Sequence, residues 1–434
     1  MKLRILLAGF ALAASAASAA VIGQNVHAEP ITAERIATLP AAERDAWTAY
    51  LQRSQAQRAA DQAALAAERK DLAQSPPAPP EHGHDASMPL DKDAAWYAGP
   101  EARHVADNIV SFQTPAGGWG KNFDRTGPVR LKGQAYVPDN ISNFLGKGDF
   151  DAPRDLRWNY VGTVDNNATT TELFFLARVI KALPDGQDAP YRAAFVKGLH
   201  YLLAAQFPNG GWPQVWPLEG GYHDAITYND DAVTLAATVM TDVAANKDNE
   251  YAFVAADLRA AAATSAKRAL AIILATQVKA PDGTLTIWGQ QHDALTLKPC
   301  AARNFEPPLL ASDESASLLV YLMSLPTPSL ELQQAIRAGV AYLRKTAVMG
   351  FVMTGKDDPA GRRLVAKPGA GPIWPRFIDP ATGKGVFGDR DRSLHDDMNE
   401  LSLERRNGYN FYVTSPQKAL KAYGKWAAKY PAAQ

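Results

Sequence analysis

The chain has 434 residues, of which 47% are hydrophobic, so it is long enough for one large domain or two ordinary ones with a well-buried core. Its 45 basic and 45 acidic residues cancel, which excludes attraction of nucleic acid by overall charge. An anionic partner would have to be recognised by a local basic cluster. Cys300 is the only cysteine, so no internal disulfide can form, and we expect a small buried core residue there.

The chain begins with a predicted export signal, residues 1–28. Lys2 and Arg4 precede a short, alanine-rich apolar run, and small residues follow. We expect cleavage either within the Ala/Ser run that ends at Ala20 or after Ala28, which predicts a secreted or periplasmic protein without stable membrane association. An uncleaved membrane anchor is the alternative, but the run is short for a span, which needs about 20 strongly apolar residues.

Residues 29–87 are predicted to form an N-terminal helical segment followed by a proline-rich linker. The stretch from 31 to 74 is rich in Ala, Glu, Arg and Gln, and the run SPPAPPEHGH follows it. Proline pairs favour an extended, semi-rigid chain. The main domain is therefore predicted over residues 88–434.

The main domain is predicted to be all-α, because apolar residues recur at helical spacing and strand-like alternation is scarce. Three helices end in a glutamine that is followed by a glycine-containing turn and a tryptophan, at 113–119, 206–212 and 277–288. Glycine permits the turn that leaves a helix. Repeated helix hairpins indicate a solenoid or an (α/α) toroid of α-hairpins, whose long loops form a groove on one face.

Two polar loops, each running into an apolar helix, offer oxygen ligands. The first, WNYVGTVDNNATTT, holds Asp165 and Asn166, and the second, NGGWPQVWPLEGGYHDAITYNDD, ends in Asp230 and Asp231. Such residues commonly cap helices, and capping alone would explain one aspartate of each loop. Carboxylates drawn from separate loops also suit calcium, which takes six to eight oxygens. Both interpretations stay open on the residues alone.

Arginines in other loops point to an anionic ligand. Arg303 precedes an aromatic-Glu-Pro-Pro turn, and Arg376, Arg390 and Arg405 adjoin aromatic or glycine-rich segments near the C-terminus. Arginine forks bind carboxylates bidentately. A polymer whose carboxylates face both arginines and calcium would be a polyuronate. His292 could be an acid or base, but a structural, hydrogen-bonded histidine is the favoured interpretation.

Several ordered motifs resemble one known family. TVDNNATTTE, NGGWPQVWP together with YNDDAV, ARNFE, WPRFID and VFGDRDR are similar to motifs of the pectate lyases of polysaccharide lyase family 10. The resemblance covers roughly residues 95–431. It implies an (α/α) toroid with a long groove and cleavage of polygalacturonate by calcium-assisted β-elimination, with an arginine as the base that removes the C5 proton.

The resemblance also implies roles for individual residues. Arg390 would be the base, Asp165 a catalytically required residue, and Asp230 or Asp231 the calcium ligand. The expected substrate-binding residues are Arg303, Arg376, Arg405, Asn166 and Tyr228. Asp389 and Asp391 would oppose a neutral Arg390 if they paired with it, so we expect them to orient other groups. The protein is expected to be a monomer that binds pectin and no nucleic acid.

Two other functions fit the residues less well. A hydrolase on the same toroid could use Asp165 and Asp231 as an acid/base pair. An exported module could also bind polyuronate without catalysis. Only elimination leaves a conjugated double bond, so the ultraviolet absorbance of the product separates a lyase from a hydrolase. Binding without any product would indicate the non-catalytic module.

Overall fold

A computed structural model describes residues 20–79, 88–138, 148–150 and 158–431 of the chain. Most of the predicted export signal and part of the proline-rich linker lie outside these ranges. Helices dominate the described residues, and none of those helices combines the length and apolarity that a membrane crossing requires. The prediction of a mostly α-helical toroid is confirmed.

The helices are α1 (Ala33–Ala37), α2 (Ala41–Arg69), α3 (Ala94–Tyr97), α4 (Pro100–Ser111), α5 (Thr170–Ala182), α6 (Ala189–Ala205), α7 (Ala232–Ala245), α8 (Ala256–Ala275), α9 (Ser312–Ser324), α10 (Leu330–Lys345), α11 (Leu403–Gly408) and α12 (Pro416–Lys429). The strands are short: β1 (Val21–Gln24), β2 (Gly162–Thr163), β3 (Val215–Trp216), β4 (Ile226–Thr227), β5 (Gln291–His292), β6 (Leu310–Ala311), β7 (Phe351–Met353), β8 (Leu364–Ala366), β9 (Trp374–Pro375), β10 (Phe377–Ile378), β11 (Phe387–Gly388), β12 (Ser393–His395) and β13 (Tyr412–Val413). Their pairings are antiparallel.

Eight helices of the described chain form four hairpins in two layers. α5, α7, α9 and α12 lie side by side in one layer, and α4, α6, α8 and α10 pack against them from the other. Most side chains of α7, in the first layer, are buried. Each hairpin joins its two helices by a long loop, and these loops carry the short strand pairs.

The glutamine–tryptophan repeat has a structural cause. The carbonyl groups of the last helical turn lack partners within the helix, and the indole N–H of the tryptophan that follows donates to one of them. The four bonds are Trp119 to Ile109 (2.7 Å), Trp212 to Leu202 (2.8 Å), Trp288 to Ile273 (2.6 Å) and Trp374 to Leu343 (2.6 Å). All four tryptophans are fully buried. The fourth copy, at Trp374, was not predicted.

The N-terminal segment packs onto the main domain. Trp47 and Tyr50 of α2 are buried in the main core, where both contact Phe207, and the Tyr50 hydroxyl donates to the Ala205 carbonyl at 2.9 Å. β1 lies at the edge of a three-stranded sheet in the order β1-β12-β11. Residues on both sides of the proline-rich linker therefore share one hydrophobic core.

Candidate active site

Two irregular turns bring Asp165 and Asp230 together. The 3-10 turns Asp165–Asn167 and Asn229–Asp231 precede α5 and α7, so they occupy equivalent places in successive hairpins, and they contact each other. Asn166 has φ 47° and Asp230 has φ 49°. Among residues with a side chain, Asn and Asp tolerate this left-handed conformation best. The residue types that suggested metal ligands are thus also those that the turns require.

The electrostatics of this acidic pair fit a cation. Lys121 donates to Oδ2 of Asp165, and although burial would raise the pKa of Asp165, the Lys121 ammonium outweighs it and lowers that pKa. Oδ1 of Asp165 is buried and makes no well-formed hydrogen bond within the described residues, although the side chains of Asp230 and Gln214 lie close enough to help lower the pKa of Asp165. Asp230 is itself exposed, but the protein around its carboxyl and the adjacent Asp165 carboxylate raise its pKa to about 8. An unpartnered carboxylate oxygen beside a second carboxyl is a costly arrangement that a cation would relieve.

The acidic pair supplies only part of a calcium coordination shell. Within the described ranges, no group of three or more His, Cys, Asp or Glu side chains could hold a metal ion. Calcium takes six to eight oxygens. Asp165 and Asp230 would therefore need further oxygens from amides, water or a carboxylate ligand.

Asp231 does not face the acidic pair. Its carboxyl is hydrogen-bonded to Ser317 of α9 and interacts with Lys418, and burial raises its pKa. It lines a cavity of about 350 Å³ between α7, α9 and α12. Of the two aspartates that the sequence left as alternatives, Asp230 is thus the one beside Asp165.

The four predicted arginines pack against two aromatic rings. The guanidinium carbons of Arg303, Arg390 and Arg405 lie 5.2, 5.0 and 4.0 Å from the centroid of the Phe305 ring. Arg376 lies 4.9 Å from the centroid of the Tyr409 ring. Aromatic faces attract cations and so offset part of the repulsion among the four charges. The four arginines, which the chain spreads over more than 100 residues, form one cluster, called the arginine group below.

Glu306 fixes Arg303 within the arginine group, and the sequence did not single it out. Its carboxylate accepts from Nε (2.9 Å) and Nη2 (2.8 Å) of Arg303, from the Tyr409 hydroxyl (2.9 Å) and from Nε2 of Gln290 (3.2 Å). Burial alone would raise the pKa of Glu306, but the Arg303 charge lowers it to about 2. The same pairing raises the pKa of Arg303 above its ordinary value, although burial opposes this.

Arg376 links the arginine group to the acidic turns. Its Nη2 donates to Oδ1 of Asn229 at 3.1 Å and to Glu314, at the start of α9. Burial raises the pKa of Glu314 to about 7, and Arg376 opposes that rise. The charges of Arg376 and Arg303 both lower the pKa of Asp230. These two arginines are therefore the members of the group whose charges act on Asp230.

Arg390 lies on the turn between β11 and β12 and is hydrogen-bonded to Glu404 at 3.4 Å. Asp389 accepts from the backbone N–H of Arg390 at 2.7 Å and from the backbone N–H and the hydroxyl of Ser402 at 2.5 and 2.7 Å. Asp391 accepts from the hydroxyl of Ser393 at 2.6 Å. Asp389 thus ties its turn to Ser402 and Asp391 orients its own turn, while the Arg390 guanidinium pairs with Glu404, in agreement with the expectation that the aspartates orient other groups. Next to Arg390, burial and the Arg390 charge lower the pKa of Arg405.

Tyr228 and His292 are structural residues. Tyr228 is 1% exposed and its hydroxyl shares a 2.6 Å hydrogen bond with Thr276, so it does not reach the groove as the sequence suggested. The favoured structural role of His292 agrees with its position, because Nδ1 contacts the Leu297 carbonyl at 2.8 Å and Nε2 accepts from the Gly289 N–H.

Asn166 lies beside Asp165 and donates to Asn122 at 3.0 Å. Cys300 is only partly buried, contrary to the expectation of a core position.

Comparison with known proteins identifies the class of site. The family model for pectic acid lyase matches residues 113–420. A family 10 polysaccharide lyase from Cellvibrio cellulosa is 31% identical in sequence, with a TM-score of 0.63, and the match covers 80% of this chain and 99% of that one. A mutant of that lyase in complex with trigalacturonic acid is 30% identical, with a TM-score of 0.64, and the match covers 81% and 100%. A search among curated proteins gave no match.

The protein is thus a polysaccharide lyase, and the acidic pair with the arginine group is its candidate active site. The chain belongs to the pectic acid lyases of polysaccharide lyase family 10. The family and the enzyme class predicted from the sequence motifs are both confirmed. Lys121, Glu306 and Glu314 are charged residues of the site that the sequence analysis missed. Glu306 is the one that a sequence signal could have revealed, since it follows Arg303 by three residues in ARNFE.

Proposed function

We propose that the protein cleaves polygalacturonate by calcium-assisted β-elimination. The observation that carries this proposal is that an acidic pair lies beside a group of four arginines, to which it is linked by the hydrogen bond from Arg376 to Asn229 and by the charges of Arg376 and Arg303. The first suits a hard cation, and the second suits the carboxylates of a polyuronate. The trigalacturonic acid bound by the Cellvibrio cellulosa mutant supports the same substrate class.

In this reaction a base removes the proton at C5 of a galacturonate unit. The electron pair forms the C4–C5 double bond, the C4–O bond breaks, and the departing oxygen takes a proton from water. Negative charge develops on the adjacent carboxylate as the proton leaves. Calcium held by Asp165 and Asp230 would withdraw charge from that carboxylate, while Arg376 and Arg405 would hold the neighbouring acid groups.

For the base we propose Arg303, in place of Arg390, which motif position favoured. The base must reach the carbon next to the carboxylate that the cation binds, and Arg303 is close enough to lower the pKa of Asp230. Its side chain is 31% exposed, against 12% for Arg376. The pairing with Glu306 uses Nε and Nη2, which leaves Nη1 as the nitrogen available to the substrate.

An arginine base requires alkaline conditions. The neutral guanidine is the form that accepts a proton, and its fraction rises tenfold for each pH unit below the pKa. Glu306 raises the pKa of Arg303, so turnover should keep rising well above neutral pH.

We also propose that the protein acts after export, as a monomer, which the N-terminal signal pattern and the polymeric substrate support.

The test is an assay on polygalacturonate that records both reducing ends and the ultraviolet absorbance of the unsaturated product. We expect absorbance with calcium and its loss with a chelator. Arg303→Lys should lower kcat by about 10²–10⁴-fold, the usual contribution of general base catalysis. Arg390→Lys should mainly raise KM. Reducing ends without absorbance would indicate hydrolysis instead, and a loss of kcat confined to Arg390→Lys would return the base to Arg390.

A further inference from the structure

The first described strand lies against the loops of the active site. β1 pairs with β12, with Gln24 opposite Ser393. The backbone N–H of Asn25 then donates to the Arg392 carbonyl at 2.8 Å. β12 follows the turn that carries Arg390. Residues 21–25 therefore pair with the outer strand of the β11–β12 hairpin, whose turn carries Arg390.

The Asn25 side chain braces a second loop, the one that carries Arg303. Its amide nitrogen donates to the carbonyls of Arg303 (3.2 Å), Asn304 (2.9 Å) and Glu306 (3.1 Å). Its amide oxygen accepts from the Val26 N–H at 3.0 Å. Asn25 is 3% exposed, so these backbone carbonyls have little access to water in place of the amide.

The two loops also touch each other directly beneath Asn25. The Asn304 side chain donates to the Arg390 carbonyl at 2.9 Å. A Cβ placed on Gly388 of β11 would lie 2.5 Å from the Phe305 carbonyl oxygen, so the backbones are in close contact. A shift of the 303–306 loop would thus move Arg303, Phe305 and Arg390 together.

We propose that Asn25 is a positioning residue that holds the Arg303 loop against the Arg390 hairpin. The inference rests on the proposed function, because it takes these two arginines as the groups that act on the substrate. It assigns to the N-terminal strand, which lies more than 270 residues from Arg303 in the chain, a part in catalysis.

If Asn25 has this role, the export signal must be cleaved before it. Cleavage within the Ala/Ser run that ends at Ala20 leaves the strand and Asn25 in the mature protein. Cleavage after Ala28 would remove them, together with Ala28, which packs against Tyr222 and Ala301. Mass spectrometry of the exported protein should therefore find an N-terminus at or before Val21. An N-terminus at Glu29 would overturn the proposal.

The kinetic test compares Asn25→Ala and Asn25→Asp with Gln24→Ala in the full-length chain. Gln24 is the exposed neighbour on the same strand, so its variant is the matched control. Small displacements of catalytic groups cost up to about a hundredfold. We expect Asn25→Ala to lose roughly tenfold or more in kcat/KM, and Asn25→Asp more, because its carboxylate faces three carbonyl oxygens. Gln24→Ala should match the wild type.

Hydrogen exchange separates positioning from general stability and from the proposed function. We expect Asn25→Ala to lose protection at 303–306 and 389–392 while the helices keep theirs. This measurement needs no turnover, so an inactive wild type would refute the proposed function and leave the inference testable. An Asn25→Ala protein with wild-type kcat and KM well below its melting temperature, or with unchanged exchange in both loops, would overturn the inference.

Discussion

At the scale of single residues, Glu306 sets both the orientation and the pKa of Arg303. A buried carboxylate is tolerated only when charges and hydrogen bonds replace its water. Glu306, 1% exposed, accepts from Arg303, Gln290 and Tyr409. Arg303 is thereby held in one orientation, at the cost of a pKa that opposes its use as a base. Orientation and basicity are in conflict at this residue.

The variant Glu306→Gln tests both effects at once. Without the negative charge the pKa of Arg303 falls, so the alkaline rise of kcat/KM should move to lower pH. The amide also places a donor against the guanidinium, and the lost orientation should lower the maximal rate by roughly tenfold to a hundredfold. The measurement is a pH profile of kcat/KM. A lower rate with no displacement of the alkaline limb would contradict Arg303 as the base.

The site residues could be predicted where they belong to a recognisable sequence motif. The sequence identified Asp165 and the four arginines, which the structure brings together. It could not choose between Asp230 and Asp231, because that choice depends on two successive left-handed residues in one turn. Tyr228 was misassigned for a similar reason: it stands next to a site residue in the chain, but its hydroxyl points to Thr276.

At the scale of elements, the glutamine of each of the first three repeats ties its hairpin to the next. The Gln206 amide donates to the Gly210 and Ser265 carbonyls at 2.9 and 3.1 Å, and Gln113 makes the corresponding bonds to Gly117 and Ala194. Gln206 is buried, whereas Gln113 is partly exposed. Water can therefore replace the amide at Gln113 more readily than at Gln206.

We expect Gln206→Ala to lower the free energy of unfolding by about 1–3 kcal/mol, the usual cost of leaving buried carbonyls unpaired. Gln113→Ala should cost clearly less. Urea unfolding followed by circular dichroism measures both, with the activity assay as a check that the site is intact. Equal losses in the two variants would show that the glutamine bonds do not depend on burial as argued.

The sequence revealed three of the four repeats because these have both the glutamine and a short turn, whereas α10 is followed by Thr346 and Ala347. Between Leu343, which accepts from Trp374, and that tryptophan, the chain inserts the β7–β8 hairpin, which hides the spacing. The position of β1 could not be predicted either, since it pairs with a strand more than 360 residues away in the chain. Local pattern identifies a hairpin, whereas long-range pairing depends on the assembled toroid.

At the scale of the whole molecule, the basic and acidic residues cancel, while the four arginines of the arginine group lie together. Attraction to a polyanion is therefore local to the groove. Salt screens charges over about 10 Å at 0.1 M and over shorter distances at higher concentration. Screening should weaken the approach of substrate carboxylates, but it should affect partly buried arginines that already touch the substrate much less.

We therefore expect KM for polygalacturonate to rise roughly threefold to tenfold between about 0.05 and 0.5 M sodium chloride at fixed calcium, with little change in kcat. Because the attraction is local, a short oligogalacturonate that fills the groove should show the same dependence as the polymer. Steady-state kinetics on both substrates measure it, and an uncharged solute at matched viscosity is the control. If KM for the polymer responds to salt much more steeply than KM for the oligomer, charges outside the groove also attract the chain.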